Sequence, residues 1–244
     1  MPQLLAPPIN PPADVDAHLK RLGYAVVDAA GLGELLALPV DALDAMTPFW
    51  DRLPPDAHLR DGGRYRRRRH SCFTVEHGQV QQAPHRAHWQ PVEYNALHGG
   101  IERWFEPMEP AQLALPVWTR LLQTLAQRAS ALKGEQRWFV EAHPFRIDTT
   151  DGIGRPTPEG AHRDGVDLVA VLLVGRHHVK GGETRVFDAD GPHGLRFTMS
   201  EPWTTLLLDD PRVVHETTPI QPLAEGAHRD TLVVTLRAGG FQGG

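Results

Sequence analysis

Residues 159–174 read Glu-Gly-Ala-His-Arg-Asp-Gly-Val-Asp-Leu-Val-Ala-Val-Leu-Leu-Val, and the second half of that stretch decides the fold class. Val166–Val174 is almost continuously apolar and rich in β-branched residues, which predicts a strand buried on both faces. In an extended chain residues i and i+2 project to the same side, so His162 and Asp164 are expected to present an imidazole and a carboxylate together. One metal ion could bind both, and such a site would need a further ligand.

Working outward, the period of the apolar pattern changes from 3.6 to 2 at about Trp138. Strands are predicted over Arg137–Ile147, Val166–Val174, Glu183–Phe187, Leu195–Met199, Trp203–Leu208, Val213–Thr217 and Thr231–Leu236, separated by the turn-rich segments Gly175–Gly182, Asp188–Gly194, Asp209–Pro211 and Pro219–Ala227. Short strands in quick succession with no helix pattern between them predict a double-stranded β-helix, the jelly-roll architecture that cupins also use. The expected class is mostly β with flanking helices (α+β), the N-terminal and mid-chain helices packing on one sheet.

Upstream, residues 1–13 form a Pro-rich arm, and Asp14–Leu22 is a predicted helix with Asp14 as N-cap and Gly23 as C-cap. Tyr24–Val27 reads as a strand, and Leu32–Leu53 as two helical pieces broken near Pro39. Gln90–Gly100, with Tyr94, Asn95 and His98, reads as a turn-rich connection. Pro116–Leu132 carries Val117, Leu121, Leu125, Ala129 and Leu132 on one helical stripe, with Pro at the first turn and Gly134 after the end. A single domain over 1–244 is expected: arm and helical wrapping in 1–59, an edge strand and supporting helix in 60–136, and the jelly-roll core in 137–237.

The chain has 244 residues, 41% hydrophobic and 23% charged, enough for a sizeable core. Its 25 basic and 30 acidic residues give a formal charge of −5, which argues against nucleic acid or an anionic membrane as partner and for a small molecule. Cys72 is the single cysteine, so neither an internal disulfide nor a Cys-based zinc site can form. The first residues lack a basic region and an apolar run of signal-peptide length, and no 18-residue apolar segment occurs; a cytoplasmic protein is expected.

The third ligand is expected to be His215, at the end of Val213-Val214-His215 and 51 residues after Asp164, where intervening strands bring the chain back opposite the first. Two His and one carboxylate on one face of an octahedron, with the opposite face open, suit a non-haem Fe(II) centre. Fourteen residues beyond His215, Arg229-Asp230-Thr231 opens the last strong strand. Arg229 and Thr231 share a face there, and an arginine on a core strand needs an anionic partner, which a carboxylate ligand can supply.

In order and spacing, His162-Arg163-Asp164, His215 and Arg229-Asp230-Thr231 resemble the His-x-Asp, distal His and Arg-x-Ser/Thr pattern of the 2-oxoglutarate- and Fe(II)-dependent dioxygenases. The wider phrases 156–165, Gly181-Gly182-Glu183-Thr184 and 209–215 are similar to the bacterial subgroup that hydroxylates free L-amino acids, which includes isoleucine 4-hydroxylase and proteins named for biofilm and motility phenotypes. The resemblance covers roughly Asp61 to Leu236. It implies Fe(II) on His162, Asp164 and His215, 2-oxoglutarate chelating the metal with its far carboxylate on Arg229 and Thr231, and O2 as the oxidant. It also implies hydroxylation of an unactivated C–H bond in a small substrate, expected to be a free aliphatic L-amino acid. A homo-oligomer is compatible with the sequence.

For the substrate, Glu159 is a candidate for an ammonium and Arg66 or Arg68 for a carboxylate; on a strand Arg64, Arg66 and Arg68 face one way. A solvated edge strand explains the Arg64–Arg69 run equally well. His143 shares a face with Glu141, Phe145 and Ile147 and fits a core or a ligand role, His177-His178 read as exposed, and Gly181-Gly182 as a hairpin turn. Gly165 permits a bulge that would redirect Asp167. Two other functions remain open: a cupin-type metalloenzyme without 2-oxoglutarate, disfavoured by Arg229, and a non-catalytic ligand-binding protein on the same scaffold, disfavoured by the complete triad.

Overall fold

The computed structural model of the protein describes residues 5–94, 97 and 99–243; Asn95 and His98 of the expected turn-rich connection lie outside them. The expected alternation organises the fold. Strands β1 (Tyr24–Val27), β2 (Arg66–Arg68), β3 (Ser71–Glu76), β4 (Gln79–Gln82), β5 (Trp138–Asp148), β6 (Leu168–His177), β7 (Val179–Gly181), β8 (Thr184–Asp188), β9 (Gly194–Phe197), β10 (Thr205–Asp209), β11 (Val213–Thr217), β12 (Ile220–Pro222) and β13 (His228–Arg237) follow in order. The large antiparallel sheet runs β1-β10-β6-β13-β5-β3-β4, with β2 also on β5; β11-β8-β9 form a smaller sheet and β12-β7 a two-stranded ribbon.

Both faces of the large sheet are covered. On β13, Leu232, Val234 and Leu236 turn to the helices α1 (Val15–Leu22), α2 (Ala29–Leu36) and α4 (Pro116–Lys133), packing with Val140, Ala142, Ala170 and Leu172. The alternate residues Arg229, Thr231, Val233 and Thr235 turn to the cavity. Val169, Leu173, Leu206 and Leu208 of the large sheet pack with Val186, Phe197 and Val213 beside the small one. Full burial of side chains such as Trp118 and Leu121 on α4 is worth about 1.5–3 kcal/mol each, so the helical layer holds the large sheet in place behind the cavity.

Several boundaries differ from the sequence reading. Asp14 makes no side-chain cap, because Pro12–Asp14 already form a 3-10 turn, whereas Gly23 does close α1 in the left-handed conformation at φ 77. Beyond Pro39 the second helical piece is 3-10 rather than α, with Pro48 inside Asp44–Arg52. Both predicted loops 175–182 and 219–227 contain a short strand, and these two strands pair as β7 and β12. The strand expected at Val166 begins at Leu168, since Gly165 turns the chain at φ 75. The short helix α3 (Pro110–Leu113) precedes α4.

The arginine run is no solvated edge. Arg66 and Arg68 are buried and only Arg67 of β2 is exposed. β2 lies along β5, and backbone bonds to Pro54 and Asp56 cover its outer side.

Candidate active site

The loop entering β6 and the strand β11 meet at His162 and His215, which exchange backbone N–H···O bonds of 3.0 and 2.9 Å. That pairing sets the imidazoles 4.7 Å apart between ring centroids. His162 donates from Nδ1 to the Gly160 carbonyl at 2.9 Å, which leaves Nε2 with its lone pair facing Glu159 at 3.5 Å and Asp164 at 3.9 Å. His215 Nε2 lies 3.8 Å from Asp164 Oδ2, and the ligand-type atoms of the three residues all lie within 4.8 Å of one another. His162 and Asp164 thus converge as expected, but on a loop ahead of β6 tied by Gly160, Asp210 and the backbone of His215 rather than on the strand itself.

The loop is held by Asp210, whose carboxylate accepts the backbone N–H groups of Asp164, Gly165 and Val166 at 3.0, 2.8 and 3.1 Å. A Cβ on Gly165 would meet the Tyr94 ring at 2.4 Å, so glycine is required there by packing as well as by its positive φ. Asp167 turns away to accept the Ala238 N–H. Burial raises the pKa of Asp164, and burial together with the Asp164 carboxylate pushes Asp210 up to about 7. Burial works against charging His162, but the carboxylates of Asp164 and Glu159 outweigh it and raise its pKa. A divalent cation would relieve this crowding of carboxylates, and the donor set suits one.

Arg229 lines the same cavity, is 2% exposed, and has no hydrogen-bond partner for Nε or Nη2 among the described residues. Burial and the neighbouring Arg176 push its pKa down to about 9, still above neutrality, so it is a buried cation awaiting an anion. The carboxylates of Asp209 and Asp210 are taken by Lys133 and by backbone N–H groups. Thr231 lies on the same face two residues on, paired across β5 with Phe145, while Arg229 pairs with Ile147. This end of the cavity suits a carboxylate with a short apolar stem.

The three candidate substrate residues also reach the cavity. Arg66 is bound by Asp56 at 2.7 Å and keeps Nη2 without a partner. Arg68 lies over Phe105 and Phe145, with its Cζ 3.9 and 4.4 Å from the ring centroids, and keeps Nε without a partner. Glu159 has a buried Oε2 without a partner among the described residues.

Other residues in the wall were not singled out from sequence: His88, Gln90, Arg103 and Gln242. Gln90 donates to Asp164 Oδ1 at 3.3 Å and accepts from Arg103 at 3.0 Å, so it links the triad to the cationic side of the cavity. His143 is buried beside Glu141 in a cluster with His70 and His88. The i, i+2 pairs His88/Gln90 and Glu141/His143 were the available signal, but only β5 was recognisable as a strand.

The 2OG-Fe dioxygenase family model matches residues 47–235. A bsmA homolog from Methylobium petroleophilum PM1 is 54% identical, with 97% of each chain covered and a TM-score of 0.92. Two more distant structures share the fold: IDO from Bacillus thuringiensis, 16% identical over 98% of this chain and 100% of that one with a TM-score of 0.76, and the Fe(II)/α-ketoglutarate-dependent dioxygenase TqaL, 18% identical over 93% and 86% with a TM-score of 0.68. The comparison with curated proteins gives no match.

Proposed function

We propose, from the premise that the chain belongs to the 2OG-Fe dioxygenase family, that it hydroxylates an unactivated C–H bond of a free L-amino acid. The family uses Fe(II), 2-oxoglutarate and O2. Together these supply an oxidation that replaces C–H by C–OH while 2-oxoglutarate leaves as succinate and CO2. In this reading His162, Asp164 and His215 hold the metal, and Arg229 and Thr231 hold the far carboxylate of 2-oxoglutarate.

The observation that carries the reading is the unpaired, buried guanidinium of Arg229 in the same cavity as the His-Asp-His cluster. A cupin-type metalloenzyme without a dicarboxylate cosubstrate leaves that cation unexplained, and so does a non-catalytic scaffold. Ile147, paired with Arg229 across β5 and β13, and Val233 line the same cavity and suit the methylenes of 2-oxoglutarate. The chain's own residues act by position: Arg229 fixes the far end of the cosubstrate, Gly160 fixes the tautomer of His162, and Asp210 fixes the loop that carries Asp164.

The amino-acid substrate rests on charge. With Nε of Arg66 tied to Asp56, and Arg229 assigned to the cosubstrate, the cavity keeps guanidinium N–H donors on Arg66, Arg68 and Arg103 and a carboxylate oxygen on Glu159 without partners among the described residues. A zwitterion satisfies both signs, its carboxylate on Arg66 and Arg68 and its ammonium on Glu159. No helix of the described residues is long and apolar enough to cross a membrane, and the buried free thiol of Cys72 suits the reducing cytoplasm.

The test is anaerobic addition of Fe(II) and 2-oxoglutarate to the purified protein, read by the visible charge-transfer absorption of the chelate, followed by succinate release across the free amino acids. The expected results are an absorption band that Arg229→Ala abolishes at the same cosubstrate concentration, and stimulation by at least one amino acid. A missing band would overturn the reaction class. A band without stimulation by any amino acid would overturn only the substrate class.

A further inference from the structure

The cavity has a polar wall that the reading above leaves without a role. On the cavity face of β5, Glu141 and His143 continue the row of Ile147 and Phe145, at the end of the strand away from Arg229. One oxygen of Glu141, Oε2, receives Nε2–H of His70 and Nδ1–H of His88, each at 2.8 Å. Arg68 donates from Nη2 to Nδ1 of His143 at 2.7 Å. All of these side chains are buried.

Proton positions decide what this network can hold. Four such groups could suggest a second metal site, but a neutral His143 that accepts from Arg68 carries its proton on Nε2, and His70 and His88 each direct a proton at Glu141. A cation would have to sit where those protons are and close to the Arg68 guanidinium. The network instead sets one anion, Glu141, against imidazole N–H groups, with the Arg68 guanidinium bonded to His143 beside it. Burial lowers the pKa of His70 and His143 and pushes His88 down to about 3, so the three rings are neutral.

Three polar positions remain without a hydrogen-bond partner among the described residues: the acceptors Nε2 of His88 and Oε1 of Glu141, and the donor Nε2–H of His143, whose nearest acceptor, Glu141 Oε2, lies 3.9 Å away. All three side chains line the cavity, so the wall offers two acceptors to one donor. Leaving a buried acceptor dry and unmatched costs about 1–3 kcal/mol. An aliphatic side chain placed against this wall would impose that cost, while an N–H or O–H group would remove it. Because the guanidinium groups of Arg68 and Arg103 already neighbour Glu141, a neutral donor fits better than a further cation.

We propose that Glu141 and His88, braced by His70, form a side-chain subsite that reads a hydrogen-bond donor, so that the substrate is an amino acid with a neutral amide or hydroxyl side chain rather than the aliphatic one expected from the sequence. The proposal rests on the amino-acid reading above and narrows it. His88 is the specificity-determining residue. Its Nδ1–H is tied to Glu141, and this fixes Nε2 as an acceptor instead of a donor.

The test compares isosteric pairs on the Fe(II)- and 2-oxoglutarate-loaded enzyme: threonine with valine, asparagine with leucine, and glutamine with methionine. Substrate-stimulated succinate release gives kcat and KM, and anaerobic calorimetry gives affinity without turnover. The polar member of at least one pair should be preferred by about a hundredfold or more, as in sites built to pair a substrate N–H or O–H. His88→Leu should bring that pair close to parity through KM and affinity rather than kcat. His88→Gln, whose amide oxygen can stand near the position of Nε2, should keep much of the preference, and it carries the test together with Glu141→Gln if His88→Leu does not fold. Preference for the aliphatic member, or a polar preference that survives His88→Leu, would overturn the subsite and leave amino-acid hydroxylation standing. Failure of every amino acid to bind or stimulate would overturn both.

Discussion

Asp210 holds Asp164 by its backbone: the carboxylate accepts the Asp164 N–H at 3.0 Å and those of the next two residues at 2.8 and 3.1 Å. The loop that carries this candidate metal carboxylate is thereby fixed from a residue outside the His-Asp-His cluster. Asp210→Ala would leave three N–H groups unmatched and should cost about 1–3 kcal/mol of stability. It should also weaken Fe(II) binding by about 10–100-fold, the usual effect of removing a group that orients a ligand. Anaerobic Fe(II) titration with a thermal melt checks both. Asp210→Asn, which keeps one acceptor oxygen, should lie between the variant and the parent.

Arg229 makes an opposite pair of predictions in the free and loaded protein. Its guanidinium is buried with two nitrogens unmatched, so Arg229→Met should raise the melting temperature of the ligand-free protein by removing a desolvated cation. The same change should cost about 2–5 kcal/mol in 2-oxoglutarate affinity and abolish the upward shift in melting temperature that the cosubstrate gives the parent. If Arg229 is only a structural residue, Arg229→Met would lower stability and leave the cosubstrate response intact.

Legibility in the sequence followed the period of the backbone. Arg229 and Thr231, Arg66 and Arg68, and Glu141 and His143 lie on strands, where a spacing of two fixes a shared face, and the structure places each pair on the cavity side. His162 and Asp164 converge for a different reason, a loop tied by Gly160, Asp210 and the backbone of His215. Partners distant in sequence were not legible. Glu141 meets His70 and His88, 71 and 53 residues away, and Arg66 meets Asp56 from the Pro-Pro-Asp segment that covers its strand. His88, Gln90 and Arg103 belong to a segment without helical or strand period, where no face can be assigned before the fold is known.

The buried histidines make the fold acid-sensitive. In the folded chain burial pushes the pKa of His88 down to about 3 and lowers His70 and His143 from the ordinary value of 6.5. The unfolded chain therefore takes up protons first as pH falls through 6.5, so the stability present above that value declines toward the folded pKa. Glu141 acts in the same direction at lower pH: burial opposes its charge, but His88 and His70 hold its pKa below the ordinary carboxylate value. Asp210, pushed up to about 7, and the raised Asp164 and His162 act in the opposite sense over the same range. The expected signature is therefore differential: from pH 7.5 to pH 5 the melting temperature of the parent should fall relative to that of His88→Gln, which removes one titrating ring. An equal slope in the two proteins would show that other groups govern the acid transition.

Asp164 separates a metal ligand from a structural carboxylate. Its Oδ1 accepts only the long 3.3 Å bond from Gln90, and both carboxylate oxygens lie 3.8–3.9 Å from imidazole nitrogens, distances that leave room for an ion rather than closing a hydrogen bond. Its backbone, by contrast, is held by Asp210 and Gln242 whatever the side chain. Asp164→Ala should therefore keep the fold, with a melting temperature at or above that of the metal-free parent because a carboxylate crowded by Glu159 and Glu141 is removed. It should lose Fe(II) binding and all amino-acid-stimulated succinate release. Fe(II) titration monitored by intrinsic fluorescence, alongside circular dichroism, distinguishes the cases: a variant that unfolds would make Asp164 a structural partner of the two histidines, whereas a folded variant blind to Fe(II) assigns it to the metal.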